Sequence, residues 1–199
     1  MKIGIDIMGG DFAPKKTIEG AVLALEHFHE DEKLFLFGQE KKITSELNKY
    51  DFNNDLIEII DCSEIIEMGE HPTKAFKNKI DSSIYKGFEY LAENRIDTFA
   101  SAGNTGAMFI GGYYTVKPIR GVIRPSIATV LPKLNGKVAV LLDVGANADC
   151  KADVLYQFGV LGSLYAQNVY DVKDPKVSLL NLGEEKTKGN MLTQTAYSL

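Results

Sequence analysis

Much of the usual equipment for catalysis and membrane insertion is missing from these 199 residues. No apolar run approaches the roughly 18 residues that a membrane-spanning helix requires. In the opening Met1-Lys2-Ile3-Gly4-Ile5-Asp6 the first carboxylate comes too early for a secretory signal, so a cytoplasmic location is the expectation. The two cysteines, Cys62 and Cys150, stand far apart with no neighbouring Cys or His. That spacing indicates neither a zinc site nor a disulfide framework, and reduced, partly buried thiols are the expectation. There is no G-x-G-x-x-G, no G-x-x-x-x-G-K-[ST] and no G-x-S-x-G, and His27, His29 and His71 lack partners at ligand or triad spacing. Nucleotide binding, zinc hydrolysis and serine hydrolysis therefore lose their usual residues. Internal repeats, low-complexity tracts and linkers are also absent, which points to one α/β domain over residues 1–199.

What is present is an ordinary globular composition, 45% hydrophobic and 25% charged, with a net charge of -5. The charge is unevenly spread. Between Asp97 and Asp143 there is no acidic residue, whereas Lys117, Arg120, Arg124, Lys133 and Lys137 all lie inside. A positive stretch in an acidic chain favours a small anion over a nucleic-acid surface, which would want a basic whole. Alternatively, these cations are scattered over solvated faces.

Short apolar runs alternate with helical patterns. Lys2 to Ile7 reads as a strand, Pro14 to Phe28 as a helix with Pro14 in its first turn, Leu34 to Phe37 as a strand and Lys41 to Tyr50 as a helix. Leu56 to Ile60 reads as a further strand. Asp81-Ser82-Ser83 caps a helix whose apolar face is Ile84, Phe88 and Leu91, and Asp97 to Ala102 is the next strand. Ser126 to Leu131 and Lys137 to Leu142 flank Asn135-Gly136 and predict one antiparallel pair in the sheet. Ala152 to Tyr170 reads as a long helix, Lys176 to Leu182 as a strand and Gly189 to Leu199 as the start of another helix. That last pattern has no stop signal, so a chain cut from a longer protein is expected. The small residues Gly159, Gly162, Ser163 and Ala166 share one face of the long helix, suited to close helix contact in a dimer or within the chain.

Four segments begin a polar, glycine-rich turn where a strand ends: Asp6 to Asp11, Ser101 to Gly106, Asp143 to Asp149, and Gly183 to Asn190. In open α/β sheets such turns gather at the carboxyl ends of the strands and form the ligand crevice. Gly9, Gly10, Gly103 and Gly106 let the backbone approach a ligand, and the helix after Asn104 and Thr105 offers unpaired amides to an anion. Asn147 can donate from a facing loop. Asp6, Asp11, Asp143 and Asp149 could orient those donors or hold a cation; carboxylates aimed at phosphate would repel it, which favours orientation. Lys188, next to the flexible Gly189, either swings a point charge toward the anion or, with Lys186, neutralises Glu184 and Glu185.

Taken as a set, these segments resemble the bacterial phosphate acyltransferases of phospholipid synthesis. The match covers Ile5 to Asp11, Asp81-Ser82-Ser83, Ser101 to Gly106, Arg124-Pro125-Ser126-Ile127-Ala128, Leu141 to Cys150 and Asn181 to Asn190. The resemblance implies a three-layer αβα fold, mostly parallel with one antiparallel hairpin, like the isocitrate/isopropylmalate dehydrogenases and phosphotransacetylases. It also implies a homodimer, no cofactor, and a longer family chain whose missing part completes the sheet and carries apolar helices able to touch the inner face of the membrane. Ahead of Asp81 the family tends to carry a run of basic residues where this chain has Lys77-Asn78-Lys79-Ile80.

The implied reaction passes a fatty acyl group from acyl carrier protein to inorganic phosphate, and the acyl phosphate goes on to a membrane-bound glycerol-3-phosphate acyltransferase. Under that reading Lys188 and Asn104 are the catalytic electrostatic stabilisers. Gly103, Thr105, Gly106, Asn147, Asp143, Asp11, Gly9, Gly10 and Asn190 form the substrate cradle. The alternatives are a phosphotransacetylase-like enzyme that uses acyl-coenzyme A, or a non-catalytic fragment that only binds and dimerises.

Overall fold

Residues 34 to 37, Leu-Phe-Leu-Phe, offer no polar residue to either face, as in a strand covered on both sides. The computed structural model describes residues 1–185 and 187–199, in two compact units, Met1–Lys117 and Pro118–Leu199. In the first unit β1 (Lys2–Asp6), β2 (Lys33–Gly38), β3 (Ile57–Asp61) and β4 (Thr98–Ala100) form one parallel sheet in the order β3-β2-β1-β4. On β2, Leu34 and Leu36 pack with Ile18 and Ala21 of α1 (Lys15–Ala24) and Ile43 and Leu47 of α2 (Glu40–Leu47). Phe35 and Phe37 point the other way, joining Cys62 and Ile96 beneath Tyr90 and Leu91 of α4 (Ser83–Ala92). Helix, sheet and helix thus make three layers in this unit.

The connections decide where a site can form. From β1 the chain passes through α1 to β2 on one side. From β3 it passes through α3 (Pro72–Asn78) and α4 to β4, on the far side of β1. α5 (Thr105–Gly111), which follows β4, packs Ala107 into the cluster of Phe76 from α3 and Ile84 and Phe88 from α4. The sheet order therefore reverses between β1 and β4, and the helices that follow their turns, α1 and α5, pack on opposite sides of the sheet. Such a reversal is where ligands enter open α/β sheets.

Several helix bounds shift from the sequence reading for local reasons. Regular helix stops at Ala24 and tightens into a 3₁₀ turn, Leu25–His27, which keeps Leu25 buried. Within the expected Asp81-Ser82-Ser83 start, Ser82 is the residue that caps α4, its Oγ accepting from the Tyr85 amide at 3.3 Å. α3 is absent from the sequence reading, although Pro72 at its first position is the expected start signal. After α5 the chain widens into a π turn, Gly112–Val116.

In the second unit β5 (Ala128–Pro132) and β6 (Val138–Leu142) pair antiparallel, but as a two-stranded ladder of their own and not within the parallel sheet. The connection is longer than a two-residue Asn-Gly turn. The Lys133 amide donates to the Lys137 carbonyl at 2.8 Å, and only Gly136 takes a positive φ (75°), while Asn135 Oδ1 accepts from the Lys137 amide at 3.1 Å. α6 spans Ala152–Tyr170, as expected, and its small face is used within the chain. A Cβ on Gly162 would stand 3.1 Å from Leu142 Cδ1, and one on Gly159 would stand 3.2 Å from Val177 Cγ1.

Lys176 to Leu182 forms no strand. An extended run becomes a strand only through ladder bonds to a neighbour, and no described strand pairs with it. α7 (Met191–Ser198) begins one residue after its cap, Asn190. No helix among the described residues is long and apolar enough to cross a membrane. Burial pushes the Cys62 thiol up to about 12, and its Sγ donates to the Ile60 carbonyl at 3.3 Å, while Cys150 is half-buried.

Two helical glycines make opposite predictions. Glycine costs a helix interior about 1 kcal/mol relative to alanine, and nothing lies within 4 Å of a Cβ built on Gly20 in α1. A Cβ on Gly87 in α4 would overlap the Phe99 ring. Gly20→Ala should raise the thermal midpoint, whereas Gly87→Ala should lower stability by about 1–3 kcal/mol through overpacking, both read by thermal unfolding.

Candidate anion-binding site

β1 and β4 are neighbours, with Ile3, Gly4 and Ile5 opposite Thr98, Phe99 and Ala100. Their turns consequently leave the sheet side by side, and they touch. A Cβ on Gly103 would lie 2.6 Å from Gly9 Cα and 2.8 Å from the Gly10 nitrogen; one on Gly9 would lie 2.8 Å from the Gly103 nitrogen. Only glycines allow that contact at positions 9 and 103, and Gly9, Gly10 and Gly103 lie together. Gly10 also takes a positive φ of 96°. Asp11 lies exposed on the turn that follows.

Behind the contact sits Asp6, 1% exposed. Its Oδ1 accepts the Met8 amide at 2.9 Å, and its Oδ2 accepts the Ser101 hydroxyl at 2.7 Å. Burial pushes its pKa up, against the opposing pull of hydrogen bonds from Ser83, Ser101, Met8 and Gly9. Ser101 Oγ in turn accepts the Gly103 amide at 3.1 Å.

Asn104 opens α5 from a left-handed backbone (φ 36°, ψ 82°), a conformation that Asn tolerates better than most residues. It is nearly buried, and its side chain is fully engaged. Oδ1 caps the helix by accepting the Ala107 amide at 3.0 Å; Nδ2 donates to the carbonyls of Glu67 at 2.9 Å and Glu70 at 3.3 Å; its own amide donates to Met68 Sδ at 2.9 Å. The side-chain amide assigned to an oxyanion from sequence thus clamps the 67–70 segment to α5. That segment is held in turn by Lys79, which donates to the Ile65 carbonyl at 2.6 Å and pairs with Glu70. The first-turn amides of Thr105 and Gly106 have no intrahelical acceptor, as at the start of any α-helix. Thr105 is exposed and Gly106 half-buried.

In the second unit Asp143 follows β6 and gathers its own loop. Oδ1 accepts the Ile127 amide at 2.7 Å; Oδ2 accepts those of Gly145 at 3.2 Å, Ala146 at 2.8 Å and Asn147 at 2.7 Å. Burial pushes this carboxyl up, but the four amides outweigh it and the pKa falls below 3.8. Asn147 Nδ2 donates to the Pro125 carbonyl at 2.9 Å, which again leaves its side chain bracing a loop. Arg124 donates to the Asp149 carbonyl at 2.8 Å.

Lys188 is exposed, its amide donating to the Glu185 carbonyl at 2.9 Å, and its carbonyl accepts from Asn181 Nδ2 at 3.1 Å. Lys186 lies outside the described residues. Asn190, taken from sequence as a cradle residue, caps α7 by accepting the Thr193 amide at 3.0 Å. The basic residues of the acid-free stretch are all exposed and lie on different elements, Lys133 and Lys137 bounding the hairpin turn. Sequence reasoning missed Glu67, Met68 and Glu70, whose only sequence signal is Gly69 followed by Pro72 at a helix start.

Comparison with known proteins places these features in context. The family model described as fatty acid synthesis protein matches residues 1–199. The phosphate acyltransferase of Halothermothrix orenii is 49% identical over 199 residues, all of this chain and 59% of that protein. Those of Dictyoglomus turgidum and Staphylococcus aureus strain Newman are 44% and 45% identical over the same 199 residues, covering 59% and 58% of their own lengths. The chain thus spans under two thirds of these relatives. Among solved structures, the EutD phosphotransacetylase of Staphylococcus aureus superposes with a TM-score of 0.64 at 18% identity, covering all of this chain and 62% of its own. A phosphotransacetylase of Streptococcus pyogenes gives 0.65 at 20%, covering 93% and 59%. The fold is accordingly phosphotransacetylase-like.

Removing the Asn104 side chain strands the Ala107 amide and two carbonyls, so Asn104→Ala should cost about 2 kcal/mol in chemical denaturation. Asp143 predicts a pH effect of definite sign. Its lowered pKa stabilises the fold above the ordinary aspartate value of 3.8, and that stability disappears as pH falls below it. Between pH 5 and pH 3, taken as approximate bounds around the reference aspartate pKa, the thermal midpoint of Asp143→Asn should fall less steeply than that of the unsubstituted chain.

Proposed function

Because this chain belongs to the fatty acid synthesis protein family, we propose that the full-length protein transfers a fatty acyl group from acyl carrier protein to inorganic phosphate. The acyl phosphate then supplies phosphatidic acid synthesis through a membrane-bound glycerol-3-phosphate acyltransferase. The homodimer and the peripheral membrane contact belong to the same proposal.

One observation carries the reading: two glycine turns meet backbone to backbone at the reversal of sheet order, beside the first-turn amides of α5. Amides there suit a phosphate. Phosphate is its own nucleophile and a thioester is already activated, so the protein need not supply a nucleophilic Ser, Cys or His. A phosphate oxygen attacks the carbonyl carbon, forming a C–O bond while the carbonyl electron pair moves onto oxygen. Collapse of that tetrahedral oxyanion breaks the C–S bond, and the departing thiolate takes a proton from solvent.

The protein's work is then to hold phosphate at the carbonyl and to stabilise the oxyanion. The Thr105 and Gly106 amides are the proposed phosphate donors. Gly9, Gly10 and Gly103 permit the close approach, and Asn104 acts through its cap on α5. Asp143 and Asn147 would shape their loop, Asp11 and Asn190 would act at turn and helix boundaries, and Lys188 would supply a mobile positive charge for the oxyanion.

Full-length protein incubated with inorganic phosphate should form acyl phosphate from acyl carrier protein thioester faster than from acyl-coenzyme A. The opposite order would favour a coenzyme A-dependent phosphotransacetylase, and no product from either would favour a binding protein. In the active protein Lys188→Ala should lower kcat by roughly 100-fold, the scale of losing one oxyanion-stabilising group, measured by thiol release.

A further inference from the structure

The groups that reach the buried carboxylate of Asp6 are all donors. The Met8 amide and the Ser101 hydroxyl lie at 2.9 Å and 2.7 Å, and the Gly9 amide and Ser83 hydroxyl complete the shell. Among the described residues, none of the ion pairs involves Asp6. Its charge is carried by these hydrogen bonds and by the start of α4, where Ser83 is the first helical residue and the helix dipole favours an anion. An asparagine of the same shape would turn an amino group toward one of the donors, so the shell selects a carboxylate, which only accepts.

These donors come from three separate pieces of chain: the turn after β1, the turn after β4 and the start of α4. The fit leaves no slack on the β1 side, since a Cβ on Gly9 would stand 2.6 Å from Asp6 Oδ2 and 2.8 Å from Ser101 Oγ. Ser101 passes the constraint onward, because the oxygen whose hydrogen goes to Asp6 also accepts the Gly103 amide at 3.1 Å. Asn104 and the open amides of α5 follow directly.

We infer that Asp6 is a positioning residue which, through the Ser101 hydroxyl, sets the Ser101–Gly103 turn against the Gly9–Gly10 turn and so fixes where an inorganic anion is held. The inference rests on the proposed reading that these turns hold phosphate. Asp6 itself does not meet the anion, because its oxygens are occupied from the protein side.

The test compares unsubstituted full-length protein with Asp6→Asn and Ser101→Ala. Both variants should raise KM for inorganic phosphate by about tenfold or more, while KM for the acyl thioester stays within about twofold, the split expected when only one substrate loses its fixed position. A phosphate KM that does not change, or the two KM values rising together, overturns the inference. Ser101→Ala deletes one half-buried hydroxyl, so it decides the matter alone if Asp6→Asn does not fold. Hydrogen exchange at the Gly103 amide supplies a readout without turnover and should quicken about tenfold or more in either variant, as a broken hydrogen bond opens the turn; unchanged exchange overturns the inference. If the unsubstituted protein forms no acyl phosphate, the functional reading fails by itself. Calorimetric titration with inorganic phosphate then joins the exchange measurement, with equal affinity in all three proteins counting against Asp6.

Discussion

The backbone contact between Gly9 and Gly103 is the constraint on which the first unit depends. Parallel neighbours in a sheet stand roughly 4.8 Å apart, so the turns leaving β1 and β4 can touch only if neither carries a side chain at the meeting point. Once they touch, the other local choices follow. Asp6 must be an acceptor because donors converge on it; Ser101 must be able both to donate and to accept; Asn104 must tolerate a left-handed backbone while capping α5. The contact falls where the sheet order reverses, so a packing constraint and a binding opportunity share one place.

Carboxylates organise both units in the same way. Asp6 binds donors from two turns and a helix start, and Asp143 binds four amides of its own neighbourhood. The balance of forces differs. Deep burial leaves the Asp6 pKa raised, whereas the amide cluster leaves that of Asp143 lowered. In both acids the carboxylate oxygens are taken by donors from the protein itself. Their charge holds the amides of the neighbouring turns in place.

The proposed chemistry asks little of the protein's side chains as reactants. Asn104 and Asn147, the two amide side chains nearest to a catalytic assignment from sequence, brace the 67–70 segment and the Pro125 carbonyl. A reaction between phosphate and a thioester draws its reactivity from the substrates, so rigid placement is the larger share of the work.

Much of the architecture is legible in the amino-acid order. Alternating apolar runs and helical spacings mark β1 to β4, α1, α2, α4 and α6, because burial on one or two faces leaves a periodic trace. Glycine-rich turns after apolar runs mark Gly9, Gly10 and Gly103 as close-approach positions. What the order does not determine is partnership. Lys176 to Leu182 has the composition of a strand yet no ladder partner, and β5 and β6 pair only with each other. α3 and the clamp from Glu67 and Glu70 to Asn104 also escaped, since a short helix leaves little periodicity and a bond to a carbonyl some 35 residues away leaves none. Local sequence determines which conformations a segment can adopt; which donor meets which acceptor is decided only by tertiary structure, because hydrogen bonds depend on atoms that folding brings together from distant parts of the chain.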